Sequence, residues 1–274
     1  MISTPIRRYG AAILMLLTMA FSGEVLAKTH TDTTSKKAHV INTTSSKVSS
    51  KQEYSRNSAK SSSLPDLRKY PSGTPRKKAF LRTVMPYITS QNAAITAERN
   101  WLISKQYQGQ WSPAERARLK DIAKRYKVKW SGNTRKIPWN TLLERVDIIP
   151  TSMVATMAAA ESGWGTSKLA RNNNNLFGMK CMKGRCTNAP GKVKGYSQFS
   201  SVKESVSAYV TNLNTHPAYS SFRKSRAQLR KADQEVTATA MIHKLKGYST
   251  KGKSYNNYLF AMYQDNQRLI AAHM

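Results

Sequence analysis

Residues 151–180 read TSMVATMAAAESGWGTSKLARNNNNLFGMK. Pro150 precedes an alanine-rich apolar run and Gly163 follows it, so 151–162 is predicted to form a helix closed by a glycine cap. Within it Val154, Met157, Ala158 and Glu161 recur at i, i+3, i+4 and i+7, which puts a carboxylate on the face that seeks the core. Partial desolvation disfavours the charged form of such a group. The negative end of the helix dipole acts in the same direction, by about 0.3–1 kcal/mol. Both push the group toward the protonation a general acid requires. A lone helical glutamate is more often structural, paired with a cation. Its neighbours argue otherwise. Gly163 and Gly165 flank Trp164 in a tight turn that presents a flat ring beside the acid. Asn172 to Asn175 add amides, and Phe177 adds a second ring. Aromatic faces edged by amides suit a sugar.

Outward from this stretch, charge dominates. The 274 residues hold 45 Lys+Arg against 14 Asp+Glu, a net charge of +31. Arg7 and Arg8, an apolar run from Ala11 to Phe21, and a Val25-Leu26-Ala27 exit make residues 1–27 a secretory signal peptide. The apolar run is shorter than the about 20 residues a permanent spanning helix needs, so no stable membrane anchor is expected after cleavage. An exported, periplasmic chain has little access to nucleic acid, and the charge then points to a polyanion of the envelope. Export also favours a disulfide between Cys181 and Cys186. No further cysteine is present for a zinc site, and His216, His243 and His273 match no zinc spacing, so neither metal nor cofactor is expected.

Serine and threonine fill 16 of the 36 positions from 28 to 63, too polar a composition to offset ordering entropy. With Pro65, Pro71 and Pro75 continuing the pattern, 28–76 is read as a disordered basic tether. From 77 to 139 apolar residues return at helical spacing, with Pro86 expected to break or kink the first helix. Ser112, Pro113 and Glu115 read as a capping box. After the cysteines, 181–199 mixes glycine, proline and lysine as a short hairpin or loop. Ser201 and Glu204 open another helix, with Val202, Val206, Tyr209, Val210 and Leu213 on one face. In the last helix Tyr255, Tyr258, Leu259, Met262 and Leu269 form the expected stripe. The fold class is mostly α, with a small disulfide-closed β or loop lobe.

Glu161-Ser162-Gly163-Trp164-Gly165, a short helix, then Asn174-Asn175-Leu176-Phe177-Gly178-Met179-Lys180 resembles the ESGWG…NNLFGIK motif of the bacterial glucosaminidases of glycoside hydrolase family 73. Residues 199–209 and GYSTKGKSYNNYL, with Tyr248 and Tyr255, resemble its downstream segments. The resemblance covers roughly 140–274 and implies an α+β lysozyme-like catalytic domain there. It further implies cleavage of the N-acetylglucosaminyl β-1,4 bond of peptidoglycan glycan strands, with Glu161 as general acid and Tyr248 assisting. Trp164, Asn174, Asn175 and Phe177 would line the substrate groove. One departure stands out: many family members use a second acid in the small lobe, yet 181–199 contains no Asp or Glu. Glu204 is the nearest downstream acid, and its capping position suits a structural role. Attack by the substrate's own N-acetyl group or an intramolecular alcohol, needing one acid, stays open. So do a peptidoglycan amidase and a non-catalytic peptidoglycan-binding module. Oligomeric state is not legible.

Overall fold

In a computed structural model, residues 63–181, 186, 189–248 and 252–274 are described. The expected signal peptide and the tether up to 62 lie outside the described residues. Nine α-helices follow in order among the described residues: α1 (Thr74–Lys105), α2 (Pro113–Arg125), α3 (Trp139–Arg145), α4 (Thr151–Ser162), α5 (Lys168–Asn173), α6 (Val202–Thr215), α7 (Ser220–Lys231), α8 (Ala238–Met241) and α9 (Lys253–Ala271). None of the described helices is long and apolar enough to cross a membrane.

The centre is α4. Every residue from Met153 to Ala159 is buried, so it is apolar all round rather than along one stripe. It packs against α1 on one side and α9 on another, and α1 also packs against α6. Small alanines let these long helices approach it closely. The expected face of Val154, Met157 and Ala158 is buried, but so is its reverse; Glu161 is partly solvent-exposed because the core ends there, not because the helix turns.

One boundary in the N-terminal part is corrected. Residues 64–76, assigned to the tether, are folded: Leu64 and Leu67 are buried in the core, and α1 starts at Thr74. Pro75 sits in the first turn of α1, where a missing N–H costs nothing. Pro86 does not end α1, which continues to Lys105; nine buried side chains on that helix outweigh the lost hydrogen bond. The capping box at Ser112 and Glu115 forms as read.

In α9 the buried positions are Asn256, Leu259, Asn266 and Ile270, whereas Tyr258 is exposed. The expected stripe is thus met in part: Leu259 is buried, Tyr255, Met262 and Leu269 are partly buried against the core, and Tyr255 also lines a cleft. Sequence reading passed over α7, whose SSFRKSRAQLRK is rich in cations. It is held by Phe222 and by two buried arginines, Arg223 and Arg226.

The small lobe, 179–199, contains no extended strand among its described residues. Two antiparallel bridges, Lys180 with Tyr196 and Cys186 with Ser197, draw its ends together. The Cys181–Cys186 disulfide closes it, with Cα atoms 5.2 Å apart.

The turn after α4 explains the glycines of the motif. The Trp164 N–H donates to Ala159 O at 2.9 Å across a left-handed Gly163, a Schellman closure. Ser162 Oγ accepts from Gly165 N at 2.8 Å. Gly165 has φ +79°, and a Cβ there would stand 2.6 Å from Leu67 Cδ1 and 3.1 Å from Phe80 Cδ2. Gly165→Ala is therefore expected to destabilise the protein by about 1–3 kcal/mol, measured by urea denaturation. A neutral effect would show that the turn can move away from Leu67.

Candidate active site

Glu161 is the penultimate residue of α4, just before the left-handed turn, and its side chain lines a cleft of about 580 Å³. Opposite it, α6 supplies Tyr209, Asn212 is one turn on, and His216 follows the helix end. From the other side come Tyr248 and, from the first turn of α9, Tyr255. Phe177 to Cys181 form the remaining wall.

Aromatic rings pave this cleft. Phe177 and Tyr209 stack at 3.9 Å and 3°. Tyr248 meets Tyr209 edge-on at 6.4 Å and stacks on Tyr255 at 5.5 Å. Such a surface offers apolar faces with hydroxyls at their rims. Phe177 is 3 % exposed, so it acts mainly as floor beneath the tyrosines.

The Tyr255 hydroxyl donates to Glu161 Oε1. Gly178, at φ +62°, brings backbone against the other oxygen: a Cβ there would lie 3.3 Å from Glu161 Oε2. No lysine or arginine among the described residues forms an ion pair with Glu161. Burial raises its pKa above the ordinary value, opposed by the Tyr255 hydrogen bond, which favours the ionised form. Burial is the larger effect. Tyr248 and Tyr255 are held well above the usual phenol range by burial, and proximity to Glu161 adds to this. Both remain neutral donors at any working pH.

Four expected residues fall in or at this cleft: Glu161, Tyr248, Phe177 and the disulfide half Cys181. Trp164, Asn174 and Asn175 are not among its lining residues. Trp164 packs edge-on against Phe80 at 5.6 Å with Lys77 over its face at 5.1 Å. The asparagines bind backbone. Asn173 exchanges hydrogen bonds with Val193, at 3.1 and 2.9 Å. Asn174 Nδ2 donates to Phe199 O at 3.1 Å. Asn175 holds Met179 through both its oxygen and its nitrogen, at 3.0 and 2.9 Å, and donates to Ser197 O at 3.0 Å. In a lobe with almost no strand, these amides replace the missing ladder. The amides act as donors and acceptors to the chain itself.

Tyr255, Tyr209, Asn212 and His216 carried no assigned site role from sequence, because as helical tyrosines and polar residues they match ordinary core or surface spacing. Glu204 stays at the start of α6: its N–H donates to Ser201 Oγ at 3.1 Å, and its Oε2 accepts from Ser200 N at 2.7 Å. Among the described residues, no group of three His, Cys, Asp or Glu side chains is placed to hold a metal ion.

Residues 138–268 match the glucosaminidase family model described as mannosyl-glycoprotein endo-beta-N-acetylglucosaminidase. The chain is 94 % identical over 274 residues to "Protein bax" of Escherichia coli (strain K12), covering 100 % of both. No solved structure matches it. A carboxyl acid in a tyrosine-paved cleft, set inside the matched region, is consistent with glycosidase-type chemistry, and the chain belongs to the glucosaminidase family.

Proposed function

We propose that the protein is a periplasmic peptidoglycan hydrolase that cleaves the N-acetylglucosaminyl β-1,4 bond of glycan strands, with Glu161 as general acid. The observation that carries this reading is the half-buried Glu161 carboxyl facing an aromatic cleft, its pKa raised above the ordinary value by burial. The pyranose ring lies against the wall that Tyr248 and Tyr255 form. Tyr255 holds Oε1, so the proton sits on Oε2 and passes to the glycosidic oxygen as the C1–O bond breaks.

A second group must meet the positive charge that develops at C1. Glu161 is the one carboxylate among the described lining residues. The neighbouring stretches 182–185, 187–188 and 249–251 contain no Asp or Glu in sequence. This favours the substrate's own 2-acetamido group as nucleophile. Its carbonyl oxygen attacks C1 to give an oxazolinium ion that keeps the acetamido N–H, and the leaving sugar takes the Glu161 proton. Water then attacks C1 and opens the oxazolinium ring, giving up a proton to Glu161, with net retention. Tyr248, half-buried beside Tyr209, orients the acetamido group.

Mass spectrometry of purified sacculi after incubation tests the reading. New reducing-end N-acetylglucosamine is expected; released stem peptide would instead identify an amidase, and an unchanged fragment pattern a binding protein. Tyr255→Phe supplies a second test. Losing the hydroxyl removes the interaction that favours ionised Glu161, so its pKa rises further. The fall of kcat/KM on the alkaline side, which reports loss of the acid's proton in the free enzyme, should then move to higher pH. A limb that stays in place or moves down would show that Tyr255 does not tune the acid.

A further inference from the structure

Beside the cleft, on the adjoining stripe of α6, lies a second hollow of about 270 Å³. Lys127, Glu204, Ser207, Thr211, Asn212 and Thr215 line it. Asn212 belongs to both cavities, so they meet across a single side chain. Ser207, Thr211 and Asn212 are partly exposed on this stripe and can meet a ligand, whereas Thr215 is buried at its base. Lys127 follows the end of α2 with φ +54°, a backbone state where glycine or asparagine is the usual residue. It lies outside the family-matched residues 138–268, so the hollow joins that domain to the N-terminal part.

Two accessible hydroxyls, an amide and one residue of each charge make a surface for a neutral polyhydroxylated ring. The Glu204 carboxylate argues against an anionic ligand. We propose that the hollow is a remote subsite: a glycan strand seated at Glu161 runs over Asn212 and places a further amino-sugar ring against Ser207 and Thr211. This rests on the glycosidase reading and makes the enzyme one that engages strands internally and favours long ones.

The test uses the full chain carrying Glu161→Gln, titrated calorimetrically with β-1,4-linked N-acetylglucosamine oligomers from two to eight units. Affinity should rise with length in this parent. Adding Thr211→Trp, which fills the hollow, should cut affinity for the longest oligomer by about tenfold, the scale of one or two lost hydrogen bonds, with the dimer unchanged. Lys127→Gly, which suits the local φ and so keeps the fold, should weaken the longest oligomer alone in the same way. Unaltered length dependence in both variants would overturn the subsite and leave the cleft assignment standing. A parent that binds no oligomer of any length would overturn the glycosidase reading and the subsite with it.

Discussion

Glu161→Gln should lower the rate of glycan cleavage by about 10²–10⁴-fold or more, the range attributable to a positioned general acid. Glutamine keeps the shape and the acceptor for the Tyr255 hydroxyl but has no proton to give. Strand binding should survive, because the tyrosine wall is untouched. The same substitution has a second expected signature. Burial lifts the native pKa of Glu161 above its ordinary value of 4.5. Between those two values the native state binds more protons than the unfolded chain, so stability falls as pH rises through that window. Above it the penalty is complete. Glutamine removes the penalty, so the variant should melt at a higher temperature than the parent at neutral pH. Below 4.5 the difference should vanish. Loss of activity together with gain of stability is the mark of a group held unfavourably for function. A variant less stable at neutral pH would assign Glu161 a structural role.

The largest stability effect is expected far from the cleft. Asp147, 1 % exposed, receives Arg230 through two hydrogen bonds at 3.2 and 3.0 Å. Arg99 and Arg226 stand 3.6 and 3.7 Å from its Oδ2. Arg226 is fully buried. It also donates to Ile148 O, Glu144 O and Asn214 Oδ1, each at 2.8 Å, tying α3, α6 and α7 together. Burial pushes its guanidinium down to about 10, and Asp147 is the charge that opposes this. Removing one member of a buried ion cluster leaves the other charges uncompensated, which costs about 3–5 kcal/mol. Asp147→Ala should therefore destabilise the protein by that amount in urea or thermal unfolding. A loss under 1 kcal/mol would mean that water reaches Arg226.

What could be read in advance follows the reach of local rules. The α4 helix, its glycine closure, the two serine-capped helices and the disulfide depend on residues a few positions apart, and each was legible. The burial of α4 on every side was not, because it depends on α1 and α9, distant in sequence. Helix α7 was missed for a related reason: its arginines mimic a solvated face, and their burial depends on partners outside the helix, among them Asp147, some 80 residues earlier, for Arg226 and backbone carbonyls for Arg223. Within the site, Glu161 announced itself as a carboxylate in an apolar run. Tyr255 did not, since its role comes from α9 crossing the end of α4. The asparagines illustrate the opposite error. A cluster of four amides signals demand for hydrogen bonds, but sequence does not say whether ligand or backbone makes that demand.

The account stands on Glu161 keeping a proton where an ordinary glutamate would have lost it. Nuclear magnetic resonance titration of the carboxyl carbon of Glu161, assigned by its absence in Glu161→Gln, measures this directly. The midpoint in the free protein is expected above 4.5, and higher still in Tyr255→Phe. A midpoint at or below 4.5 would contradict it.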